Sequence, residues 1–431
     1  MTTDEAARLP ESLVLADATA TPRRRPRHRI TFEGGLDSPF HRWFRLTPSY
    51  SPHLVGHWLD EHPQFDSGRL LEPFSGAGTT CIVATRRGLD SVGFEINPFL
   101  AFVSRTSTRW DVSVDELRVA LAAVLSSTAD LLSSGPLDVE EFAAELGTVI
   151  PPIHNVYRWW RPDVLRQLLA LRQSIGKHGG DVADHLRLAL AEIVYSTANI
   201  TLGRLQLFFV DRSSHDIEVI RPFKEVVARM IEDLERHIPS RVGRAQIINS
   251  DSRGLEEVPD GSIGAVFTSP PYPNRYSYVW NTRPHLYLLE FISTPREAGD
   301  LDTVTIAGTW GRATSVLQKG VVEPTENVAR AMGRVYEDLH EQSLLMGNYV
   351  TKFFNDMDIH LAAVGRKVMS GAPIGYVVGN TETKGIMVET HDILASLFEA
   401  NGFGRIEQDY LRARNSGAGL VEVTVSGVAE S

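Results

Sequence analysis

The chain has 431 residues, of which 42% are hydrophobic and 23% charged, and its formal net charge is −11. This composition is typical of a globular protein, and the length predicts one catalytic core with a large insertion or second module. The net charge disfavours indiscriminate coating of nucleic acid, so any DNA contact requires local clusters of basic residues. The single cysteine, Cys81, excludes an internal disulfide and a cysteine-based zinc cluster.

The N-terminal segment, residues 1–35, is predicted to be a flexible arm with an acidic start and a basic end. Residues 22–29 read Pro-Arg-Arg-Arg-Pro-Arg-His-Arg, and a basic arm of this kind either stays solvated or becomes ordered on DNA phosphates. We find neither a signal-peptide pattern nor an unbroken apolar run of about 18 residues. We therefore expect a cytoplasmic protein without membrane contact.

The first motif is a short apolar strand followed by a glycine-rich turn. Residues 69–80 read Arg-Leu-Leu-Glu-Pro-Phe-Ser-Gly-Ala-Gly-Thr-Thr, with a helix predicted to start near Thr79. The glycines permit positive φ or a close approach of the backbone to a ligand. The segment lacks the Gly-Lys-Ser/Thr ending of a phosphate-binding loop and the third glycine of the dinucleotide fingerprint.

Two further strands are predicted to end in carboxylates. Residues 91–98 read Ser-Val-Gly-Phe-Glu-Ile-Asn-Pro, and residues 245–251 end in Asp251. An acid at the end of the second strand, here Glu95, is suited to hydrogen-bonding a ribose diol.

Between these two strands, residues 111–240 depart from the α/β pattern. Helical periodicity recurs at residues 112–132, 164–175, 182–200 and 222–238. A crossover needs far fewer residues, so this segment is predicted to be a helical insertion and a candidate target-recognition module. Its stretch at 157–162 mixes aromatic residues with arginines, which suits either base stacking with phosphate contacts or a packed helix end.

The most informative segment is the apolar run 263–267 followed by Thr-Ser-Pro-Pro-Tyr-Pro at 268–273. The run predicts a buried parallel strand, and the two prolines prevent both helix and ladder hydrogen bonding after Ser269. A rigid loop at the carboxyl end of a strand lies where open α/β sheets bind ligands. Its hydroxyl, carbonyls and ring are suited to a flat heterocycle that bears an amino group.

The C-terminal part completes the predicted sheet. Residues 328–368 are predicted to be helical with a break near Gly347, and a strand at 374–380 precedes a helix at 391–401. Residues 405–411 and 420–425 alternate polar and apolar side chains as an antiparallel hairpin does.

Together these segments resemble the S-adenosylmethionine-dependent DNA methyltransferases that modify exocyclic amines, particularly the Ser-Pro-Pro-Tyr type that acts on cytosine N4. The family pattern Asp-Pro-Phe-x-Gly-x-Gly-Thr-Thr is matched at 72–80, with glutamate in place of aspartate. The resemblance implies an α/β fold, a Rossmann-like seven-stranded methyltransferase sheet, with a catalytic core at 36–110 and 241–431.

The resemblance also implies roles for individual residues. Glu72 and the glycine turn would hold the methionine part of the cofactor, Glu95 the ribose hydroxyls and Asp251 the adenine amine. Residues 41–50 match a further family segment more loosely, which implies that they pack on the methionine end of the cofactor. The implied cofactor-binding residues are Thr47, Glu72, Pro73, Phe74, Gly76, Gly78, Thr79, Thr80, Glu95, Asn97 and Asp251, and the implied catalytic residues are Ser269, Pro270, Pro271 and Tyr272.

We therefore expect a site-specific enzyme that methylates cytosine N4 in double-stranded DNA with a flipped target base, without a metal. The expected protein partner is a cognate restriction nuclease or defence-system subunit. An adenine-N6 DNA methyltransferase, an RNA guanine-amine methyltransferase and a non-enzymatic DNA-binding protein with a degenerate core are the alternatives. Methylation of the cytosine ring carbon requires a thiolate, and Cys81 is predicted to be buried and inert.

Overall fold

The computed structural model of the protein describes residues 29–62, 67–203, 206–308, 311–414 and 417–430. The predicted basic cluster at 22–29 lies outside these residues except for Arg29. All statements below concern the described part of the chain.

The described residues form sixteen α-helices and eleven strands. The helices are α1 (Pro52–Glu61), α2 (Thr79–Arg86), α3 (Pro98–Ser107), α4 (Val114–Ser134), α5 (Val139–Leu146), α6 (Val156–Trp159), α7 (Pro162–Ile175), α8 (Gly180–Ser196), α9 (Ile220–Arg236), α10 (Tyr278–Leu288), α11 (Pro295–Val304), α12 (Arg312–Leu317), α13 (Glu326–Met332), α14 (Arg334–Gln342), α15 (Leu344–Lys367) and α16 (Thr390–Ala400). The strands are β1 (Arg69–Glu72), β2 (Ser91–Phe94), β3 (Ile200–Gly203), β4 (Gln206–Phe209), β5 (Ala245–Ile248), β6 (Ile263–Thr268), β7 (Pro373–Gly379), β8 (Thr381–Thr383), β9 (Ile386–Val388), β10 (Phe403–Ala413) and β11 (Val421–Ala429).

Seven strands form one mixed sheet in the order β10-β11-β7-β6-β1-β2-β5. Strands β5, β2, β1, β6 and β7 are parallel, and the β10–β11 hairpin joins antiparallel at β7. The predicted α/β class with five parallel strands and a C-terminal hairpin is therefore confirmed. This is the sheet of the Rossmann-like methyltransferase fold.

Successive residues of the central strands face opposite layers of helices, because side chains alternate across a strand. Leu70 and Phe267 pack in a cluster with α1 and α2, whereas Leu71 and Val266 pack in a second cluster with α15 and α16. All four side chains are fully buried. The parallel strands are therefore covered on both faces, which explains their continuous apolar runs.

The segment between β2 and β5 contains helices α3 to α9 and the hairpin β3–β4. Its helices share one hydrophobic cluster with Phe40, Trp43 and α10, so this segment packs against the rest of the fold through a continuous core. Helix α4 is long and apolar enough to cross a membrane by those two criteria alone. It packs against α7 and α9 through Leu117, Ala120 and Val124, as an amphipathic helix of a folded domain does.

The long helical region near the C-terminus differs from the prediction at its breaks. The chain interrupts the helix at Gly333 and Ser343, and Gly347 lies inside α15. A Cβ atom at Gly347 would lie 2.5 Å from the His340 ring of α14. This glycine therefore permits close helix packing and does not end a helix.

Candidate active site

A cavity of about 540 Å³ lies at the carboxyl edge of the parallel strands. It is lined by residues of both predicted motifs, because parallel strands bring all their carboxyl ends to one edge. The predicted site residues that line it are Thr47, Pro73, Phe74, Gly76, Thr79, Glu95, Asn97, Asp251, Ser269, Pro271 and Tyr272. The remaining four, Glu72, Gly78, Thr80 and Pro270, lie outside its lining.

The glycine turn is fixed against α3. Gly76 and Gly78 have φ of 51° and 92°, a region that side chains other than glycine rarely adopt. A Cβ atom at Gly78 would lie 2.7 Å from the Ser104 hydroxyl of α3. Gly78 therefore serves helix packing, while Gly76 contributes its backbone to the cavity wall.

Glu95 follows β2 and is held by backbone groups on both sides. Its carboxylate accepts hydrogen bonds from the backbone N–H of Gly76 at 2.8 Å and of Asn97 at 2.9 Å. Burial raises the pKa of Glu95 to about 7 despite these hydrogen bonds. The carboxylate lines the cavity and has lone pairs left to accept hydrogen bonds from a pair of hydroxyl groups.

Asp251 follows β5 and is held by Arg253, which sequence analysis did not identify. The Arg253 Nε lies 2.9 Å and 3.1 Å from the two carboxylate oxygens, and its Nη1 lies 2.7 Å from Asp356 of α15. Partial burial opposes ionisation of Asp251, but the hydrogen bonds from Arg253 hold its pKa below the ordinary value. Asp251 is therefore an oriented acceptor at the cavity wall.

Glu72 is fully buried beneath the glycine turn and does not reach the cavity. It accepts hydrogen bonds from the Tyr50 hydroxyl at 2.5 Å, from the Phe74 N–H at 3.1 Å and from the Thr268 hydroxyl. Burial raises the pKa of Glu72 to about 7. In this arrangement Glu72 joins the ends of β1 and β6 to the segment around Tyr50.

The upstream segment at 41–50 reaches the cavity through residues 46–50. Thr47 lines it, and its buried hydroxyl has no hydrogen-bond partner among the described residues. The Tyr276 hydroxyl donates to the Thr47 carbonyl at 2.7 Å. Such a buried hydroxyl without a partner is unusual, because buried polar groups are normally hydrogen-bonded.

The Ser-Pro-Pro-Tyr loop leaves β6 and forms the other half of the cavity. The Ser269 hydroxyl donates a hydrogen bond to the Val377 carbonyl of β7 at 3.0 Å, so its lone pairs remain available as acceptors. Burial raises the pKa of the Tyr272 hydroxyl, which keeps it neutral.

The hairpin β10–β11 supplies cavity residues that sequence analysis missed, namely Arg412, Arg414 and Glu422. The polar–apolar alternation of β10 and β11 predicts which of their side chains point away from the core. It does not predict that the outward-pointing side chains form part of a cavity wall. Tyr276 and Tyr278 also line the cavity and were missed as site residues.

Cys81 is fully buried inside α2 and does not line the cavity. Burial raises the pKa of its thiol well above the ordinary value. No group of three or more histidine, cysteine, aspartate or glutamate side chains arranged to hold a metal occurs within the described ranges.

Comparisons with known proteins identify similar methyltransferases. The chain is 22% identical over 271 residues to the Type II methyltransferase M.BsoBI of Geobacillus stearothermophilus, an alignment that covers 58% of this chain and 53% of that protein. It is 21% identical over 412 residues to M.AvaI of Anabaena variabilis, covering 87% of this chain and 81% of M.AvaI. It is 20% identical over 399 residues to M.MvaI of Kocuria varians, covering 87% and 84%.

No family model matches the chain. Its seven-stranded mixed sheet is consistent with the Rossmann-like methyltransferase fold, and its cavity lies at the carboxyl edge of that sheet. Type II methyltransferases are its homologues, at low identity, and the chain spans about half the length of M.BsoBI.

Proposed function

We propose that this protein is a site-specific DNA methyltransferase that transfers a methyl group from S-adenosylmethionine to cytosine N4 in a restriction-modification or related defence system. The observation that carries the proposal is one cavity lined by both the glycine turn and the Ser-Pro-Pro-Tyr loop. Similarity to Type II methyltransferases supports the same class of reaction.

The residues at the first half of the cavity fit the cofactor. Glu95 is an acceptor suited to the ribose hydroxyls, Asp251 is an acceptor suited to the adenine amine, and Thr47 lines the same cavity. S-adenosylmethionine, when bound, supplies an electrophilic methyl group on a sulfonium. Glu72 is inside the fold, so we propose that it positions the turn and does not contact the cofactor itself.

The second half of the cavity fits an exocyclic amine. The lone pair of such an amine is delocalised into the ring, and acceptors beside its hydrogens favour the tetrahedral geometry needed for attack. The Ser269 hydroxyl, oriented by its donation to Val377, would provide a preorganised acceptor, whereas Pro270 lies outside the cavity lining. Tyr272 would stack on the face of a base that has left the duplex.

The chemistry of Cys81 argues against methylation of the ring carbon. That reaction needs a thiolate able to reach the base, whereas Cys81 is buried in α2 with a raised pKa. Within the amine class, serine before Pro-Pro-Tyr favours cytosine, and adenine N6 is the second candidate.

The partners follow from this function. Double-stranded DNA with a flipped base is the proposed substrate, the cytoplasm the proposed location, and a cognate restriction nuclease a proposed partner. We propose that residues 111–240 help to read the target sequence.

The test is to map modified bases in DNA from cells that express the protein, and to identify them by mass spectrometry after digestion. We expect N4-methylcytosine within one recognition sequence, and much less of it with the Tyr272→Ala variant. N6-methyladenine would select the second candidate. Ring-methylated cytosine, or no methylated base, would contradict the proposed chemistry.

A further inference from the structure

A charged pair on the C-terminal hairpin forms one wall of the base half of the cavity. Arg412 of β10 and Glu422 of β11 are direct cross-strand neighbours. The Arg412 Nε and Nη2 donate to the two carboxylate oxygens of Glu422 at 2.6 Å and 2.9 Å. Both side chains line the cavity, with 26% and 14% of their surface exposed.

This wall adjoins the Ser-Pro-Pro-Tyr loop. Glu422 pairs in register with Gly379 at the end of β7, and a Cβ atom at Gly379 would lie 3.1 Å from the Tyr272 ring and 2.8 Å from the Arg414 guanidinium. The Arg414 guanidinium lies 5.5 Å from the centre of the Tyr272 ring. The loop and the hairpin therefore approach each other closely over Gly379, where a side chain would require Arg414 and the Tyr272 ring to shift.

Only some of the N–H donors of the Arg412 guanidinium are hydrogen-bonded. A guanidinium carries five N–H donors, and two of its nitrogens bind Glu422. Its Nη1 has no partner among the described residues, although the side chain is three-quarters buried and borders the cavity. Glu422 therefore fixes the orientation of a guanidinium that lines the cavity and keeps donors unpaired.

Building on the proposed function, we propose that Arg412 is the residue that reads the flipped base, and that Glu422 positions it. A flipped base is recognised through hydrogen bonds to its Watson–Crick edge. Cytosine presents two acceptors beside its amine, N3 and the O2 carbonyl, which suit the free donors of Arg412. Adenine in the same place has a C–H where cytosine has the O2 carbonyl. Arg412 thus selects cytosine, while the Ser269 loop binds the amine.

The test compares duplexes that carry either cytosine or an abasic site at the mapped target position, in the presence of S-adenosylhomocysteine. We expect Arg412→Gln to weaken binding of the cytosine duplex at least about tenfold, the loss typical of one good base contact, and to leave binding of the abasic duplex unchanged. Glu422→Gln should give a smaller, base-dependent loss. Arg405→Gln, an exposed position of the same strand, is the matched control and should change neither affinity.

The Arg412→Gln substitution leaves the Glu422 carboxylate without its ion-pair partner. If this single variant does not fold, binding of both duplexes is measured with the double variant Arg412→Gln/Glu422→Gln, in which neither charge remains. The affinity of each variant for the cofactor, measured by calorimetry, shows whether that variant is folded. Equal losses for both duplexes would mean that Arg412 binds phosphate, and no loss would mean that the pair is structural. Either result overturns this inference, as does N6-methyladenine as the wild-type product, whereas the proposed amine chemistry fails if the wild-type protein methylates no DNA amine.

Discussion

Glu72 is a carboxyl group with no exposed surface and a pKa raised to about 7 by burial. An acid whose pKa is higher in the folded state than in the unfolded state binds extra protons on folding. Its contribution to stability is present below about pH 4.5 and is lost as the pH rises through about 7. For Glu72 this contribution is at most about 3 kcal/mol.

We therefore predict that Glu72→Gln flattens the pH dependence of unfolding. The free energy of unfolding of the wild-type protein should fall relative to that of the variant between pH 5 and pH 8. Denaturant titrations across this range measure the difference. Glu341→Gln, an exposed substitution, is the control, and a constant difference between wild type and Glu72→Gln would contradict a buried acid that titrates near neutrality.

Glu95 allows a direct test of cofactor binding. Its carboxylate lines the cavity and is held by two backbone N–H groups. Glu95→Ala should weaken S-adenosylmethionine binding by about 1.5–3 kcal/mol, the value of hydrogen bonds to a charged group. Calorimetry measures this, with the exposed substitution Glu407→Ala as control, and unchanged affinity would remove Glu95 from the cofactor site.

Tyr272 should separate base binding from cofactor binding. Because we propose that its ring holds the base, Tyr272→Ala should lose most turnover while S-adenosylmethionine affinity stays the same. Tyr272→Phe keeps the ring and should retain much of the activity. Turnover on DNA and calorimetry with the cofactor provide the two measurements, and equal loss of both in Tyr272→Ala would argue against this role.

At the scale of secondary-structure elements, arginine side chains and aromatic rings from α6, β4 and α10 pack against one another in alternation. Arg158 of α6 lies 4.0 Å from the ring centre of Phe209 on β4, and Phe209 contacts Trp159 at 4.8 Å. Arg283 of α10 lies 5.1 Å from the Trp159 ring and 3.0 Å from that of Trp280. We call these five residues the arginine–aromatic strip.

The arginine–aromatic strip leads from the insertion to the cavity, because α10 begins with the cavity residue Tyr278. Residues 157–162 were predicted to serve either base stacking with phosphate contacts or a packed helix end, and the structure distinguishes the side chains suited to each. Trp159 and Trp160 are packed in the core, whereas Arg158 is exposed and lies beside Phe209. An exposed guanidinium fixed by a ring is suited to a DNA phosphate.

We predict that Arg158→Gln weakens binding of duplex DNA and lowers the salt dependence of that binding by about one phosphate contact. Affinity measured at several salt concentrations gives both values. Arg330→Gln on α13, where the arginine already pairs with Glu326, is the matched control. An unchanged salt slope for Arg158→Gln would favour a dimerisation or partner-binding role for residues 111–240.

At the scale of the whole molecule, the burial of Cys81, the only thiol in the sequence, predicts an amine-methylated and not a ring-methylated base. We expect Cys81→Ser to keep amine methylation, apart from a loss of stability caused by a hydroxyl in the core. The modified base formed by this variant is identified by mass spectrometry, and its folding is followed by thermal denaturation. A folded, cofactor-binding Cys81→Ser protein without any activity would contradict a mechanism that does not use the thiol.

Much of the fold was predictable from sequence, because local pattern and burial agree in the central strands. The buried runs at β6 and β7, and the alternation in β10 and β11, predicted their strands and the sheet edge that holds the cavity. The hairpin β3–β4 and the break positions around α14 were not predicted. Gly347 shows the reason, since a glycine required for close helix contact has the same sequence signal as one that ends a helix.

The sequence by itself determined the class of fold and the segments that form the candidate site, since motif, strand and loop are local in the chain. Only the tertiary structure decided which side chains reach the cavity. Glu72 is the last residue of β1 and is buried inside the fold, whereas Glu95 comes directly after β2 and lines the cavity. Arg412 and Glu422 enter the cavity wall from the other end of the chain. Burial and cross-strand neighbours depend on packing between distant segments, which no local pattern specifies.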